Sequence, residues 1–130
     1  MPDRDAALLA LRPPVPAADP GLAAGAVEAF LHRTLRPVLK LQNPTLLALV
    51  AADVAKRVPG FAAFAPEDRR ARLAETLRRD SRLKRVLLGV VLGALTADEL
   101  AFALAHEAEV RRRIVALLAE RIASQADAVG

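Results

Sequence analysis

The sequence contains no cysteine, tryptophan or tyrosine, and only four of its 130 residues are phenylalanine. Without cysteine, the chain cannot form disulfide bonds, cysteine-ligated zinc sites, iron–sulfur clusters or thiol nucleophiles. The scarcity of aromatic side chains argues against a β-sandwich or β-barrel, because strands are enriched in aromatic and β-branched residues. These absences favour a helical protein that is held together by aliphatic side chains.

Sequence motifs for catalysis and for metal or cofactor binding are also missing. The chain has no Gly-x-Ser-x-Gly motif, no glycine loop that could cradle a phosphate, and no histidine near Ser81 or Ser124 in sequence. A glutamate lies four residues before His32 and another lies three residues after His106, whereas carboxylate-bridged metal sites in bundles use Glu-x-x-His. We therefore expect a protein that is not an enzyme and that has no metal site and no cofactor.

Long hydrophobic runs are absent as well. The longest uninterrupted apolar run covers ten residues, 86–95, and a membrane-spanning helix requires about 20. The first residues include early aspartates and lack the apolar stretch of a signal peptide. We expect a soluble, cytoplasmic protein that does not enter a membrane.

Helix-forming residues dominate what is present, with 29 alanines and 22 leucines. Apolar residues recur at helical spacing and predict five helices, over residues 22–41, 43–58, 66–79, 82–95 and 97–125. Pro37 predicts a kink in the first of them. Asn43 and Pro44 predict a new helix start, and the capping-box sequence from Thr96 to Glu99 predicts another.

The prolines are concentrated near the N-terminus, where residues 12–20 hold four of the nine. Because proline fixes φ and removes a hydrogen-bond donor, we expect this segment to be extended. Residues 3–11 before it could form a short helix, which would be ordered only if it docked on the bundle or on a partner. The predicted fold is therefore all-α, a five-helix bundle over residues 21–130 with a long C-terminal helix, preceded by a flexible proline-rich arm over residues 1–20.

The predicted C-terminal helix indicates self-association. At 1.5 Å per residue, a helix over 97–125 is roughly 43 Å long, whereas a domain of this size has a radius of gyration of roughly 14 Å. An apolar stripe on its far half would extend beyond the bundle and would be covered most simply by a second copy of the chain. The predicted homodimer interface consists of Val110, Ile114, Leu117 and Ile122.

A second helix-packing feature is the Gly-x-x-x-Gly sequence formed by Gly89 and Gly93. Two glycines one turn apart leave a groove that lets another helix approach closely. We expect this groove to pack inside one chain, against the predicted helix over residues 43–58. The alternative is that the groove itself is the self-association face.

Positive charge is concentrated in residues 66–95, although the whole chain has a net charge of only +4. Several basic residues are predicted to pair with an acid four residues earlier, as in Asp68–Arg72 and Asp80–Lys84. The same spacing predicts salt bridges from Glu107 and Glu109 to the Arg111–Arg113 run, and one between Glu75 and Arg79. The basic residues left without a predicted partner, which form a candidate patch for an anionic partner, are Arg69, Arg70, Arg78, Arg82 and Arg85.

Two functions are compatible with these features. The first is a non-enzymatic adaptor or assembly protein, a homodimer whose helix faces also bind another, unidentified protein. The alternative is a nucleic-acid-binding protein that uses the basic region from Arg69 to Arg85. Retention on DNA that falls steeply as the salt concentration rises would indicate nucleic-acid binding, and no binding at low salt would exclude it.

Overall fold

The computed structural model describes residues 2–13 and 26–129, and these ranges are helical with no strand. The all-α class is therefore confirmed, and the described residues form six helices. Five of them lie within the range predicted for the bundle, but their bounds differ from the predicted ones. Short 3₁₀ turns at Phe61–Ala63 and Ala126–Ala128 follow the second and the last helix. The helices are α1 (Pro2–Leu11), α2 (Ala26–Arg57), α3 (Pro66–Arg79), α4 (Ser81–Leu92), α5 (Ala97–Ala105) and α6 (Glu107–Ala123).

Helix α2 is continuous, so the expectation of two helices separated at Asn43 and Pro44 is wrong. Pro44 lies inside the helix, where it removes one backbone donor. The buried residues Leu39 and Leu46 lie on either side of it, and their burial offsets the lost hydrogen bond. Asn43 does not cap a helix; its amide donates to Gln125 Oε1 at 2.8 Å.

The irregularity in α2 lies just before Pro37. Residues Leu31–Leu35 form a π-helical turn in which the Arg36 amide donates to the carbonyl of Leu31, five residues back. Single π-helical turns of this kind interrupt the regular i→i−4 hydrogen bonding of an α-helix and are one of the known causes of helix kinks. By length and composition α2 could also span a membrane, but the core helix of a globular bundle passes the same test.

The expected C-terminal helix is divided at His106. This residue has φ −120° and ψ 37° and ends α5, with its amide donating to the carbonyl of Phe102. Helix α6 begins at Glu107 and packs on α3 and α4, so its apolar face belongs to the core. Its inward residues are almost completely buried: Val110, Ile114, Leu118 and Ile122.

The core is aliphatic, as the composition indicated. Helix α2 packs on α4, and α3 packs on α6. The C-terminal 3₁₀ turn also lies against α3, so the chain end closes this side of the bundle. The largest side chains with 0% exposure are Leu35, Leu73, Leu87 and Ile114.

Helix α1 lies across the corner between α4 and α5. Arg4 donates to the carbonyls of Gly93 and Leu95, at 2.8 and 3.2 Å, and Asp5 accepts from the amide of Ala97 at 3.1 Å. Residues 2–11 are thus helical and docked, whereas this part of the chain was expected to belong to a flexible arm. The remainder of that expected arm, including most of its prolines, lies outside the described residues.

Candidate anion-binding site

A small cavity between α4 and α6 collects basic side chains from both helices. Its volume is about 250 Å³. We call it the cationic cavity, and it is lined by Ser81, Lys84, Arg85, Leu88, Arg111 and Val115. Three of these side chains are basic and none is acidic, so the cavity concentrates positive charge.

The hydrophobic pattern of the two helices places these residues. In α4, Leu83 and Leu87 are buried, so the cavity residues at positions 81, 84, 85 and 88 lie on the adjoining flank. In α6, burial of Ile114 places Arg111 and Val115 beside the core in the same way. The charged groups thus converge because the apolar faces of α4 and α6 pack on the same core.

The start of α4 is fixed by a side-chain cap. Asp80 accepts a hydrogen bond from the amide of Leu83 at 2.9 Å, as expected for an N-cap residue. This hydrogen bond is also the largest cause of the low pKa of the Asp80 carboxyl group. Because its carboxylate is engaged there and with Arg57 at 3.6 Å, Asp80 does not neutralise Lys84 as the sequence predicted.

The basic residues of the cationic cavity keep most of their donors. Lys84 Nζ makes one hydrogen bond, to the carbonyl of Arg78 at 2.9 Å. Within residues 2–13 and 26–129, neither Arg85 nor Arg111 forms an ion pair. The expected local pair of Arg111 with Glu107 is absent, so Arg111 remains able to bind an anion.

The structure separates the five arginines that were expected to form one patch. Arg69 pairs with Asp127 at 3.3 Å and Arg82 with Asp53 at 3.4 Å, so these two arginines have acidic partners that helical spacing did not predict. Only Arg85 lines the cationic cavity, while Arg70 and Arg78 are exposed elsewhere. The expectation of a single patch is therefore wrong. Lys84 and Arg111 were missed because both had been assigned to local ion pairs.

Other predicted ion pairs were decided by neighbouring helices. The pair between Glu75 and Arg79 is confirmed, at 3.5 Å. Arg113, in contrast, binds Glu28 of α2 instead of an acid on its own helix. These pairs fix helices to one another and leave Arg111 as the member of the Arg111–Arg113 run that faces the cavity.

A second cavity, of about 290 Å³, is also rich in arginine but has balanced charge. It lies between the end of α2 and the α3–α4 corner. Glu75 and Asp80 line it together with the arginines, which are Arg57, Arg72 and Arg79. Because two carboxylates neutralise two of the three arginines, this cavity is a weaker anion site than the cationic cavity.

A buried carboxyl pair lies beside this second cavity, formed by Asp53 of α2 and Asp80. Burial raises the pKa of Asp53, and its hydrogen bond to Asp80 raises that pKa further. Oδ2 of each group is buried and receives no hydrogen bond from a donor in the part of the chain that the structure describes. Arg57 and Arg82 flank the pair and contact Asp53 Oδ1 at 3.3 and 3.4 Å. The pair therefore links α2 to the α3–α4 corner.

The predicted dimer interface is contradicted by the burial of its residues. Val110, Ile114 and Ile122 expose 2%, 0% and 1% of their surface inside a single chain, and Leu117 is partly buried. The stripe is covered because α6 packs on α3 and α4. It is core and not a surface for a second copy.

The glycine groove is also different from the prediction. Gly89 and Gly93 are both exposed, and a Cβ atom built on Gly89 meets nothing within 4 Å. The expected packing of this groove against the second half of α2 is therefore wrong. Gly93 instead ends α4, and its carbonyl accepts a hydrogen bond from Arg4.

The two histidines take part in separate contacts. His32 Nε2 lies 3.7 Å from Glu28 Oε2, and the His106 ring stacks on Phe102 with centroids 4.5 Å apart. Among the described residues, no three His, Asp or Glu side chains converge in a way that could hold a metal ion.

Comparison with known proteins gives no relative. No family model matches the chain, and neither a curated protein nor a solved structure is similar to it.

Proposed function

We propose that this chain is a non-enzymatic binding module that recognises the phosphate backbone of a nucleic acid through the cationic cavity and the basic residues around it. The observation that carries this proposal is the lining of the cavity, with three basic side chains and no acid. Binding of nucleic acid depends mainly on cations that contact phosphates, and these side chains supply such contacts.

Sequence specificity is not part of the proposal. Helix α4 presents Val86, Gly89 and Val90 along its middle, and these residues offer no hydrogen bonds to base edges. The two phenylalanines that follow α2, Phe61 and Phe64, pack on each other with ring centroids 5.7 Å apart, and Phe61 is buried. Contacts to phosphates, without base recognition, are therefore what this surface supports.

The test is binding to a short DNA duplex as a function of salt concentration. Each phosphate contact contributes a slope of about −0.9 in the logarithmic plot of affinity against salt, so three contacts give about −2.7. We expect measurable binding at low salt and a shallower slope after the triple change Lys84→Gln, Arg85→Gln and Arg111→Gln.

A matched control removes the same charge elsewhere. Arg33, Lys56 and Arg112 are exposed, lie outside the cationic cavity and comprise the same residue types. Their replacement by glutamine should reduce the slope less than the triple change in the cavity does. Equal effects of the two triple variants, or no binding of the native chain at low salt, would reject the proposal.

A second candidate function is the adaptor or homodimer that the sequence suggested, now supported by a different surface. The most exposed large apolar side chains in the described part of the chain are Leu9 and Leu11 of α1, at 53% and 63%, and Leu104 of α5, at 57%. Light scattering over a range of concentrations tests it. A dimer that becomes a monomer after Leu9→Asp and Leu11→Asp supports this function, and a monomeric native chain excludes the homodimer.

A further inference from the structure

We propose that the cationic cavity binds a single phosphate group, carried either by a small phosphate monoester or by the backbone of a nucleic acid. This inference deepens the proposed function. The nucleic-acid backbone as the source of the phosphate rests on that function, whereas a small phosphate monoester as the source does not.

The size of the cavity favours a small ligand. Pockets for drug-sized molecules measure about 300–1,000 Å³, and the cationic cavity has about 250 Å³. Its two apolar residues, Leu88 and Val115, are aliphatic, so no ring is present on which a nucleobase could stack. A phosphate with a short aliphatic or sugar attachment fits this lining.

The donors suit phosphate better than a carboxylate. After its bond to Arg78, Lys84 keeps two N–H donors, and the guanidinium groups of Arg85 and Arg111 offer five each. A planar guanidinium group can donate two parallel hydrogen bonds to two oxygens of one phosphate. A phosphate also has more oxygens and more negative charge than a carboxylate, so it can bind several cations at once. The Ser81 hydroxyl lies at the same cavity and provides a neutral donor.

The position of the basic residues on two helices also matters. Lys84 and Arg85 come from α4, whereas Arg111 comes from α6. A ligand between the two helices contacts both of them. Its binding therefore depends on Arg111, although Arg111 is far from Lys84 and Arg85 in sequence. This dependence separates a formed site from general attraction to a positive chain, because Arg112 on the same helix does not line the cavity.

The test is a titration of the full chain with inorganic phosphate at constant ionic strength, followed by amide NMR shifts. We expect saturable shifts in residues 81–88 and around Arg111. Arg111→Gln should weaken binding by about tenfold or more, the ratio expected for losing a hydrogen bond to a charged group. The charge-matched Arg112→Gln should change the affinity by less than about twofold, as expected for an exposed charge outside the site.

The outcomes distinguish this inference from the proposed function. Shifts that do not saturate, or equal weakening by Arg111→Gln and Arg112→Gln, overturn the phosphate site, whatever happens with DNA. If the Arg111 variant loses its amide dispersion, Arg85→Gln replaces it with the same expectations. Selective phosphate binding with no binding of duplex DNA supports the site and rejects the nucleic-acid function.

The source of the phosphate follows from competition. A duplex that displaces inorganic phosphate from the native chain assigns the site to a nucleic-acid backbone. If glycerol phosphate displaces it and the duplex does not, the site belongs to a small phosphate monoester. Either result supports a site for one phosphate group.

Discussion

Replacing Arg12 by alanine should release α1 from the corner between α4 and α5. Arg12 Nη1 donates to Glu99 Oε2 at 2.7 Å, and Nη2 donates to Glu99 Oε1 at 2.5 Å. Nη2 also donates to the carbonyl of Ala94 at 3.2 Å. The Arg12 side chain is 8% exposed and that of Glu99 is 18% exposed, so water screens this pair only weakly. No other side chain joins α1 to the bundle through a buried ion pair within the described residues.

The expected magnitude follows from these contacts. Removing one partner of a buried ion pair costs about 3–5 kcal/mol when the other charge stays buried. Here the loss is smaller, because α1 can detach and let Glu99 regain water. We therefore expect the free energy of global unfolding to fall by about 1–3 kcal/mol, in the range of one or two hydrogen bonds to a charged group. The free energy of local opening of α1 should fall close to zero.

Hydrogen exchange of the full chain, combined with urea unfolding, measures both quantities. In the Arg12→Ala variant the amides of α1 should exchange rapidly, while the core amides of α2 and α4 keep most of their protection. Arg33→Ala is the control, because Arg33 is an exposed arginine with no ion pair in the part of the chain that the structure describes. Unchanged exchange in α1 would show that Arg12 does not hold this helix in place, and so would equal effects of the two variants.

Four further predictions concern Glu99, two glycines and Ile114. Burial raises the pKa of Glu99, but hydrogen bonds from Arg12 and Thr96 outweigh burial, so the net pKa lies below its usual value of 4.5. Glu99 therefore stabilises the fold above pH 4.5, and this contribution is lost as pH falls below that value through the lower pKa of the folded state. Urea unfolding between pH 7 and pH 3 should show this loss for the native chain and a smaller one for Glu99→Gln. Gly89→Ala should stabilise the chain by about 0.5–1 kcal/mol, because the site is open. Gly60→Ala, at φ 74°, should destabilise it in the same unfolding assay. Ile114→Asp should unfold the chain, because Ile114 is completely buried, and circular dichroism should show the loss of helix. A folded, monomeric variant would contradict this and restore the predicted dimer interface.

The helix ends were the most predictable parts of the fold. The capping box between Thr96 and Glu99 is confirmed, with hydrogen bonds of 2.8 and 3.3 Å between side chain and backbone. Helix α3 begins at Pro66, where the predicted helix over 66–79 begins, and Asp80 caps α4 one residue before its start. These features depend on interactions between residues within one helical turn, so the local sequence is sufficient to predict them. The all-helical class was predictable for a related reason, because alanine and leucine favour helices wherever they occur.

The candidate site was less predictable, because long basic side chains can reach several partners. The sequence paired Arg113 with Glu109, yet Arg113 binds Glu28, which lies 85 residues away. It also paired Lys84 with Asp80, whose carboxylate instead caps α4. Local i, i+4 pairs contribute only about 0.3–0.5 kcal/mol, so contacts supplied by another helix easily displace them. For this reason the cavity that gathers Lys84, Arg85 and Arg111 could not be found from spacing alone.

The helical class, the aliphatic core and the starts of α3, α4 and α5 follow from local sequence. Packing between distant elements was needed to establish that α2 continues through Pro44, that the C-terminal helix is divided at His106, and that α1 docks through Arg12. In each of these cases a local preference of a few kcal/mol competes with packing on elements that are distant in the chain. The burial of Ile114 illustrates the consequence, because the apolar stripe that predicted a second copy is covered by α3 and α4 of the same chain.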